Sequence, residues 1–425
     1  MSHQALGIDL SKVERLSVPN ILHFVWIGDL NEVNTHYIDI WKKTNKDKQI
    51  FFWYDQDSSL CHLLNNAIRD FVSVKKIKNK DKAELKIKNH AFKYIYPKIK
   101  AGFSFDELVI EFLTKHEIPY QRPPKAIEDS WFGNRGFIKK PITELFFNDF
   151  DDFMKYYYYE IILRHNIASA SDIVRLLIIY QYGGTYIDVD TLPYIDNIYH
   201  KLNKYIRKKG IVESDSFLLF KTVCFLKKTN SEGVLPEVVI GCDENELGVD
   251  AVGFEEIKRL IELDLTDFSL DMILPLGETY VHKNLLALGS LRRFKGVYFN
   301  NFISSHQKSK AVRIILRVMK KRYRFLEKNN CIFDCYIDDG SRCYLTRILP
   351  WRNELTTRNY CVTSVLTGPG LIVEVLLGLA YKAFNIGYLI EPSSIAEYMQ
   401  NPDFGIALFQ HTIDTPDGAY STWRK

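Results

Sequence analysis

Asp172, Arg175, Asp188 and Asp190 fall in one stretch, Ala168 to Pro193, which reads ASASDIVRLLIIYQYGGTYIDVDTLP. Two carboxylates separated by one residue on an extended chain share a strand face. They repel each other unless a cation lies between them. A divalent ion answers that need: Mn²⁺ or Mg²⁺ takes one or two protein carboxylates and fills its shell with phosphate oxygens and water. The chemistry to expect is therefore the binding of a metal ion together with a diphosphate. A bare Asp-x-Asp is by itself more often a solvated pair at a strand end. The residues that precede this pair favour the site.

Ile173, Val174, Leu176, Leu177, Ile178 and Ile179 make the segment before the pair apolar almost all round, as in a buried helix. Asp172 and Arg175, three apart, lie on one face of that helix. A buried Asp172 needs a partner, and Arg175 supplies it. Gly183 and Gly184 stop the helix, because glycine accepts positive φ. Tyr186-Ile187-Asp188-Val189-Asp190 then alternates as a strand. Tyr186, Asp188 and Asp190 would point one way, Ile187 and Val189 into the core, and Pro193 would close the strand.

Further segments match the same pattern. Ile21-Leu22-His23-Phe24-Val25-Trp26-Ile27-Gly28 and Gln49 to Tyr54 read as buried strands with a helix between them, a βαβ opening. Tyr37 to Lys42, Phe52 to Asp55, Leu366-Thr367-Gly368-Pro369 and Ser421-Thr422-Trp423 complete the set. Together these segments resemble the glucosyltransferase domain of the large clostridial cytotoxins and the wider set of Asp-x-Asp sugar transferases of GT-A fold. The resemblance runs discontinuously from about Pro19 to Trp423. It implies an α/β fold, a Rossmann-like mixed sheet with helical insertions at about 63–165 and 300–350. Residues 1–18 would be an N-terminal arm and 19–425 a single catalytic domain.

The resemblance also implies roles. Trp26 would stack on uracil. Asp172 and Arg175 would hold hydroxyls of the donor sugar, and Tyr186 and Asp188 would contact ribose and sugar. Asp190 would bind the metal. Ser421 would complete the metal or diphosphate shell, and Trp423, on a C-terminal lid, would hydrogen-bond near the glycosidic oxygen. A toxin asparagine near the sugar falls at Asn300 or Asn301, and Asn301 is the working assignment. A toxin glutamate that helps hold the metal falls at Gly418, which leaves Asp417 or His411 as the substitute ligand. The implied donor is a UDP-sugar, the implied ion Mn²⁺ or Mg²⁺, and the implied acceptor a host protein of the Rho/Ras small-GTPase type. A trapped lid would exclude water and limit donor hydrolysis.

Composition sets bounds. The chain has 425 residues, 46% hydrophobic and 25% charged, with a net charge of +4. That is ordinary globular composition, and the charge is too weak to indicate nucleic acid. The seven cysteines are irregularly spaced and give no disulfide framework. A zinc site at Cys331, Cys335 and Cys343 lacks a fourth ligand nearby. The N-terminus has no apolar signal segment. Leu371 to Ala380 is interrupted by Glu374 and is too short to span a membrane. A soluble chain, secreted or translocated into a host cytosol without a cleaved signal, is the expectation.

Other features carry weaker readings. Lys75 to Lys88 holds seven lysines and reads as a solvated surface, or as a contact for anionic membrane. Tyr156 to Tyr159 reads as core packing. Ala311 to Leu326 reads as a basic amphipathic helix with Ile314, Ile315, Val318, Met319 and Phe325 on its apolar side and Arg322 among its charges. His23 reads as a satisfied core residue. The leading functional reading is a toxin-like transferase that moves glucose or N-acetylglucosamine onto a protein hydroxyl. An enzyme building a glycan or glycolipid is the runner-up. A catalytically dead binding module is a third reading, which intact Asp188 and Asp190 argue against.

Overall fold

The computed structural model describes residues 14–55, 58–75, 79–124, 128–133, 135–147, 150–229, 249–290, 295–337, 340, 343–354, 361–383, 386–400 and 407–409. The chain opens with β1 (Arg15–Ser17), β2 (Ile21–Trp26), α1 (His36–Thr44) and β3 (Gln49–Tyr54). β2 and β3 run parallel in register from Ile21 opposite Gln49 to Trp26 opposite Tyr54, which is the expected βαβ unit. Then come α2 (Cys61–Val74), α3 (Lys80–Lys100), α4 (Phe105–Lys115), α5 (Glu128–Gly133), β4 (Ile138–Pro141) and α6 (Asp151–Tyr158). A π-helical turn, Tyr159–Arg164, leads into α7 (Ile167–Tyr182) and β5 (Gly184–Ile187). The remainder holds α8 (His200–Lys209), α9 (Asp215–Thr229), α10 (Ala251–Thr266), β6 (Tyr280–His282), β7 (Ala287–Ser290), β8 (Phe299–Ser305) and α11 (Lys310–Lys328). It closes with α12 (Val362–Leu366), α13 (Pro369–Ala383), α14 (Pro392–Met399) and β9 (Ala407–Phe409).

Seven strands form one sheet in the order β4-β3-β2-β5-β8-β7-β9, and β1 pairs with β6 in a separate ribbon. β4, β3, β2 and β5 are mutually parallel. β8 is antiparallel to both β5 and β7, and β9 is parallel to β7. Both faces of the parallel part are covered, as such sheets require. Leu22, Phe24, Phe52 and Ile187 pack with Ile38 and Trp41 of α1 on one face. Val25, Trp53 and Tyr186 pack with the apolar residues of α7 on the other. A third cluster joins Tyr37 and Ile40 of α1 to α8, α9 and α10.

α7 starts where Asn166 caps it, the side chain accepting from the Ser169 N–H, and ends at Gly183 with φ 67°. Gly184 has φ 90°, and a Cβ there would lie 2.7 Å from His23 Nε2. The helix can therefore stop and drop straight into β5 only with two glycines. His23 is fully buried: its Nε2–H donates to Gly183 O at 2.8 Å, and its Nδ1 accepts from Trp53 Nε1 at 3.0 Å. Tyr156 to Tyr159 are all buried, with Tyr156 stacked on Tyr323 at 4.3 Å. Both readings match the sequence.

Several expectations change. The strand stops at Ile187, so Val189 and Asp190 lie in a turn closed by Thr191 N–H to Asp188 O at 3.0 Å. Asp190 is therefore not carried by strand alternation. The two helical insertions also carry strand: β4 lies within 63–165, and β8 runs from Phe299 into 300–350. Lys88 is buried against Glu84 at 2.7 Å and leaves the cationic surface, while Lys75, Lys80, Lys82 and Lys86 stay exposed. Arg322 is buried too. It pairs with Glu374 at 2.6 Å and donates to Val365 O. Cys331 is buried while Cys335 and Cys343 are exposed, and among the described residues no three metal-binding groups cluster. Val362–Lys382 is long and apolar enough for a membrane span by composition, contrary to the sequence reading. It is broken at Thr367–Gly368 and holds Glu374 in ion pairs with Arg322 and Arg347, as a core helix pair does.

Burial pushes the His23 imidazole from 6.5 down to about 4, with the Gly183 bond opposing that shift. The ring is neutral in the native state. As pH falls below 6.5 the unfolded chain takes up a proton that the native state refuses, so stability is lost down to about pH 4. The loss amounts to about 3 kcal/mol from this residue. His23→Leu should flatten that part of the pH–stability curve. It should also cost about 2–4 kcal/mol at pH 7.5 by orphaning two buried polar groups. Urea unfolding across pH 4.5–7.5 checks this, and an unchanged pH slope in the variant would count against it.

Candidate functional site

Strand order locates the site. From β2 the chain moves outward to β3 and β4, then returns to place β5 on the other side of β2. The gap between β2 and β5 is a topological switch point, and in open α/β sheets ligands bind outside the carboxyl ends of the strands at such a point. Trp26 is the last residue of β2, and Asp188 and Asp190 follow the end of β5. Register puts Leu22 opposite Thr185 and His23 opposite Tyr186, so the two strand ends adjoin.

Arg175 is the centre of the polar site and is buried. Its Nη1 donates to Asn300 O at 2.7 Å and its Nη2 to Ser171 Oγ at 3.3 Å. Nη2 also lies 3.1 Å from Asp188 Oδ1 and 3.4 Å from Asp172 Oδ1. The guanidinium sits 4.5 Å from the centre of the Tyr186 ring, and the Tyr186 hydroxyl donates to Asp188 Oδ1. Asp172, also buried, receives Asn300 Nδ2 at 2.8 Å on one oxygen and the Thr367 hydroxyl at 3.0 Å on the other. Asp188 N–H donates to Asn301 O at 2.9 Å. Trp41 Nε1 donates to Thr191 O at 2.7 Å, fixing the far end of the turn that carries Asp190. Trp26 is half-buried, its Nε1 bonded to Asp29 O at 2.8 Å.

Burial pushes the Asp172 carboxyl from 3.8 up to about 6, with Asp188 adding to the rise and Arg175, Thr367 and Asn300 opposing it. Burial works against the Arg175 charge as well, but Asp188, Tyr186, Asp172 and Asp190 hold its pKa above the usual value. One guanidinium thus faces three carboxylates. Asp188 and Asp190 are only half-buried. A surplus of hard oxygen donors with partial exposure suits a divalent cation that brings its own phosphate oxygens.

Of the residues singled out in the sequence, the structure brings together Asp172, Arg175, Tyr186 and Asp188, with Asp190 on the adjoining turn. Asn300, not Asn301, bonds Asp172. The Asn301 side chain reaches Thr191 Oγ1 at 3.4 Å, and its Oδ1 has no hydrogen-bond partner among the described residues. Asp417, Ser421 and Trp423, with Gly418 and His411, lie outside the described residues. Sequence reasoning gave no role to Ser171 or Thr367. Leu366-Thr367-Gly368-Pro369 was the available signal for Thr367: a Cβ at Gly368 would lie 3.3 Å from Asp172 Oδ2, so the turn packs directly on that carboxylate.

A mixed sheet with this switch point and an Asp-x-Asp turn at its edge is the architecture of a GT-A type glycosyltransferase domain. The profile of the TcdA/TcdB catalytic glycosyltransferase domain matches residues 20–121 and 140–366, and the chain belongs to this family. Toxin A of Clostridium novyi is 26% identical over 360 residues, which cover 76% of this chain and 16% of that toxin. Toxin B of Clostridioides difficile is 26% identical over 237 residues, 50% of this chain and 10% of that toxin. The chain thus spans only a small part of these relatives. Among solved structures, the catalytic domain of Clostridium novyi alpha-toxin superposes with a TM-score of 0.71 at 20% identity, covering 96% of this chain and 80% of that one. The UDP-bound glycosyltransferase domain of the YGT toxin gives a TM-score of 0.60 at 19% identity, covering 96% and 82%. These two share the fold.

Removing the guanidinium leaves Asp172 buried without a counter-charge. Arg175→Met should therefore destabilise the chain by about 3–5 kcal/mol, and adding Asp172→Asn should return part of that loss. Guanidinium-chloride unfolding of the single and double variants tests the coupling. Additive losses would contradict it.

Proposed function

We propose that this chain is a metal-dependent retaining glycosyltransferase. It moves glucose or N-acetylglucosamine from a UDP-sugar to a hydroxyl of a host protein, a small GTPase of Rho/Ras type, within the host cytosol. The observation that carries the reading is the placement of Trp26 at the end of β2 and of the Asp188–Asp190 turn after the end of the adjacent β5, with Asp188 on the buried Arg175 cluster. Family membership and the UDP-bound YGT domain of similar fold support it.

In this reading Trp26 offers an indole face to the uracil, a contact worth about 1–3 kcal/mol. Asp172 and Arg175, fixed by Asn300 and Thr367, hold the hydroxyls of the donor sugar. Tyr186 and Asp188 orient ribose and sugar. Asp190 with Asp188 would hold Mn²⁺ or Mg²⁺, completed by Ser421 and Asp417, and the bound ion supplies charge neutralisation for the leaving diphosphate. Arg175 keeps its charge through burial because of the surrounding carboxylates, so it is a fixed cation beside the diphosphate site at any working pH. Trp423 closes over the donor near the glycosidic oxygen and excludes water. Exposed Lys75, Lys80, Lys82 and Lys86 offer a contact for an anionic membrane surface that excludes Lys88.

Hydrolysis of a panel of UDP-sugars, with and without Mn²⁺, tests the proposal. One donor should turn over only with metal, and Asp188→Asn/Asp190→Asn should lose about 100-fold or more of that activity. An absence of hydrolysis together with an absence of metal-assisted UDP binding would overturn the catalytic reading.

A further inference from the structure

The turn between α12 and α13 reaches the donor site without belonging to it. Thr367 donates to Asp172 Oδ2 at 3.0 Å. Its oxygen lies 3.0 Å from Ser169 Oγ. With the Thr367 proton given to the carboxylate at 3.0 Å rather than to Thr363 O at 3.3 Å, Thr367 Oγ1 is free to accept from Ser169, and the two hydroxyls form a chain ending on Asp172. All three side chains are buried, so no water competes for Asp172 Oδ2 from that side.

The relay has a rigid base. Thr363 O accepts the N–H groups of Thr367 and Gly368, each at 3.0 Å. The Thr363 hydroxyl donates to Glu354 at 2.6 Å and accepts from Asn166 Nδ2 at 2.8 Å and Arg164 Nη2 at 3.0 Å. Arg164 is itself buried between Glu160 and Glu354. Asn166 also caps α7, the helix that carries Asp172 and Arg175. From the other side, Arg322 of α11 donates to Val365 O in the same corner. The start of α7 and the α12–α13 corner are thus locked to each other through groups that have no exit to solvent.

We propose that Thr367, supported by Ser169, is a positioning residue for the transfer reaction. It holds the Asp172 carboxylate in the orientation that keeps Asp172 on Asn300 and Arg175, so that this trio presents fixed groups to the donor sugar. The inference rests on the donor-site reading above and adds to it a residue that touches neither nucleotide nor metal. Asn300 fixes one oxygen of Asp172 and Thr367 the other. Loss of the second bond frees the carboxylate to rotate, although the first remains. The nucleotide half of the donor, held at Trp26 and the Asp188–Asp190 turn, is untouched by that rotation.

Thr367→Val keeps shape and removes the hydroxyl, and Thr367→Ser restores it. The measurements are UDP affinity, kcat and KM for donor hydrolysis, and crystal structures of both variants. Thr367→Val should bind UDP within about twofold of wild type and lose about tenfold or more in kcat, and Thr367→Ser should regain most of it. In the crystal, Asp172 should turn off its position in the valine variant and keep it in the serine variant. Equal kcat in wild type and Thr367→Val, or an unmoved Asp172 in the valine variant, would overturn the proposal. Loss of UDP binding along with kcat would also overturn it, as the mark of general disruption. A wild-type chain that neither binds UDP nor hydrolyses any UDP-sugar would sink the donor-site reading instead. The position of Asp172 in the two crystals would then decide the claim about Thr367 without recourse to activity.

Discussion

A single buried guanidinium organises this molecule. Arg175 is buried, and a charge so placed must be compensated by its neighbours. Asp172 answers it from the preceding turn of α7, Asp188 from the end of β5, and the Asn300 carbonyl from β8. Two consecutive elements, α7 and β5, and one distant in sequence, β8, are thereby fixed relative to one charge. The same set leaves more negative than positive charge at the edge of the sheet, which is what a metal–diphosphate group would complement. Burial makes the arrangement rigid as well as costly: each partner is held by further bonds, and none can move without orphaning another.

The sheet explains where this cluster sits. β2 and β5 diverge in their connections, one leading to the parallel half and one to the antiparallel half. Side chains that follow their carboxyl ends therefore lie at the switch point, where ligands bind in open α/β sheets. Gly183 and Gly184 allow α7 to end directly against β2, with His23 donating to the Gly183 carbonyl. The α12–α13 corner closes the far side through Thr367. The proposed donor site thus draws on β2, α7, β5 and the α12–α13 corner, although the chemistry is concentrated in a short stretch.

Much of this was legible in the residues. The all-round apolar helix, its acid–base pair and the double-glycine stop were each specified by local pattern, and the βαβ opening by two continuous apolar runs. What escaped depended on contacts between distant segments. The turn at Val189–Asp190 is flanked by bonds to other segments, Asp188 N–H to Asn301 O and Trp41 Nε1 to Thr191 O, which no alternation rule contains. Alternation along β8 puts Asn301 on the face of Ile303, toward α7. An irregularity in β7–β8 pairing, where Leu288 faces Ile303 and Gly289 faces Phe299, re-aims the strand so that Asn300 meets Asp172. β4 escaped inside the stretch read as a helical insertion because its two lysines and proline, which protect an edge strand, hide the strand pattern. Lys88 and Arg322 read as surface charges, but each is buried in an ion pair with a half-buried carboxylate, Glu84 and Glu374.

The central claim is that one donor nucleotide bridges Trp26 and the Asp188–Asp190 turn. A crystal structure of the chain with UDP and Mn²⁺ tests it most directly. The account predicts the uracil against the Trp26 indole and the diphosphate, with its metal, at Asp190. A nucleotide bound elsewhere, or one whose base leaves Trp26 free and whose metal avoids both aspartates, would contradict it.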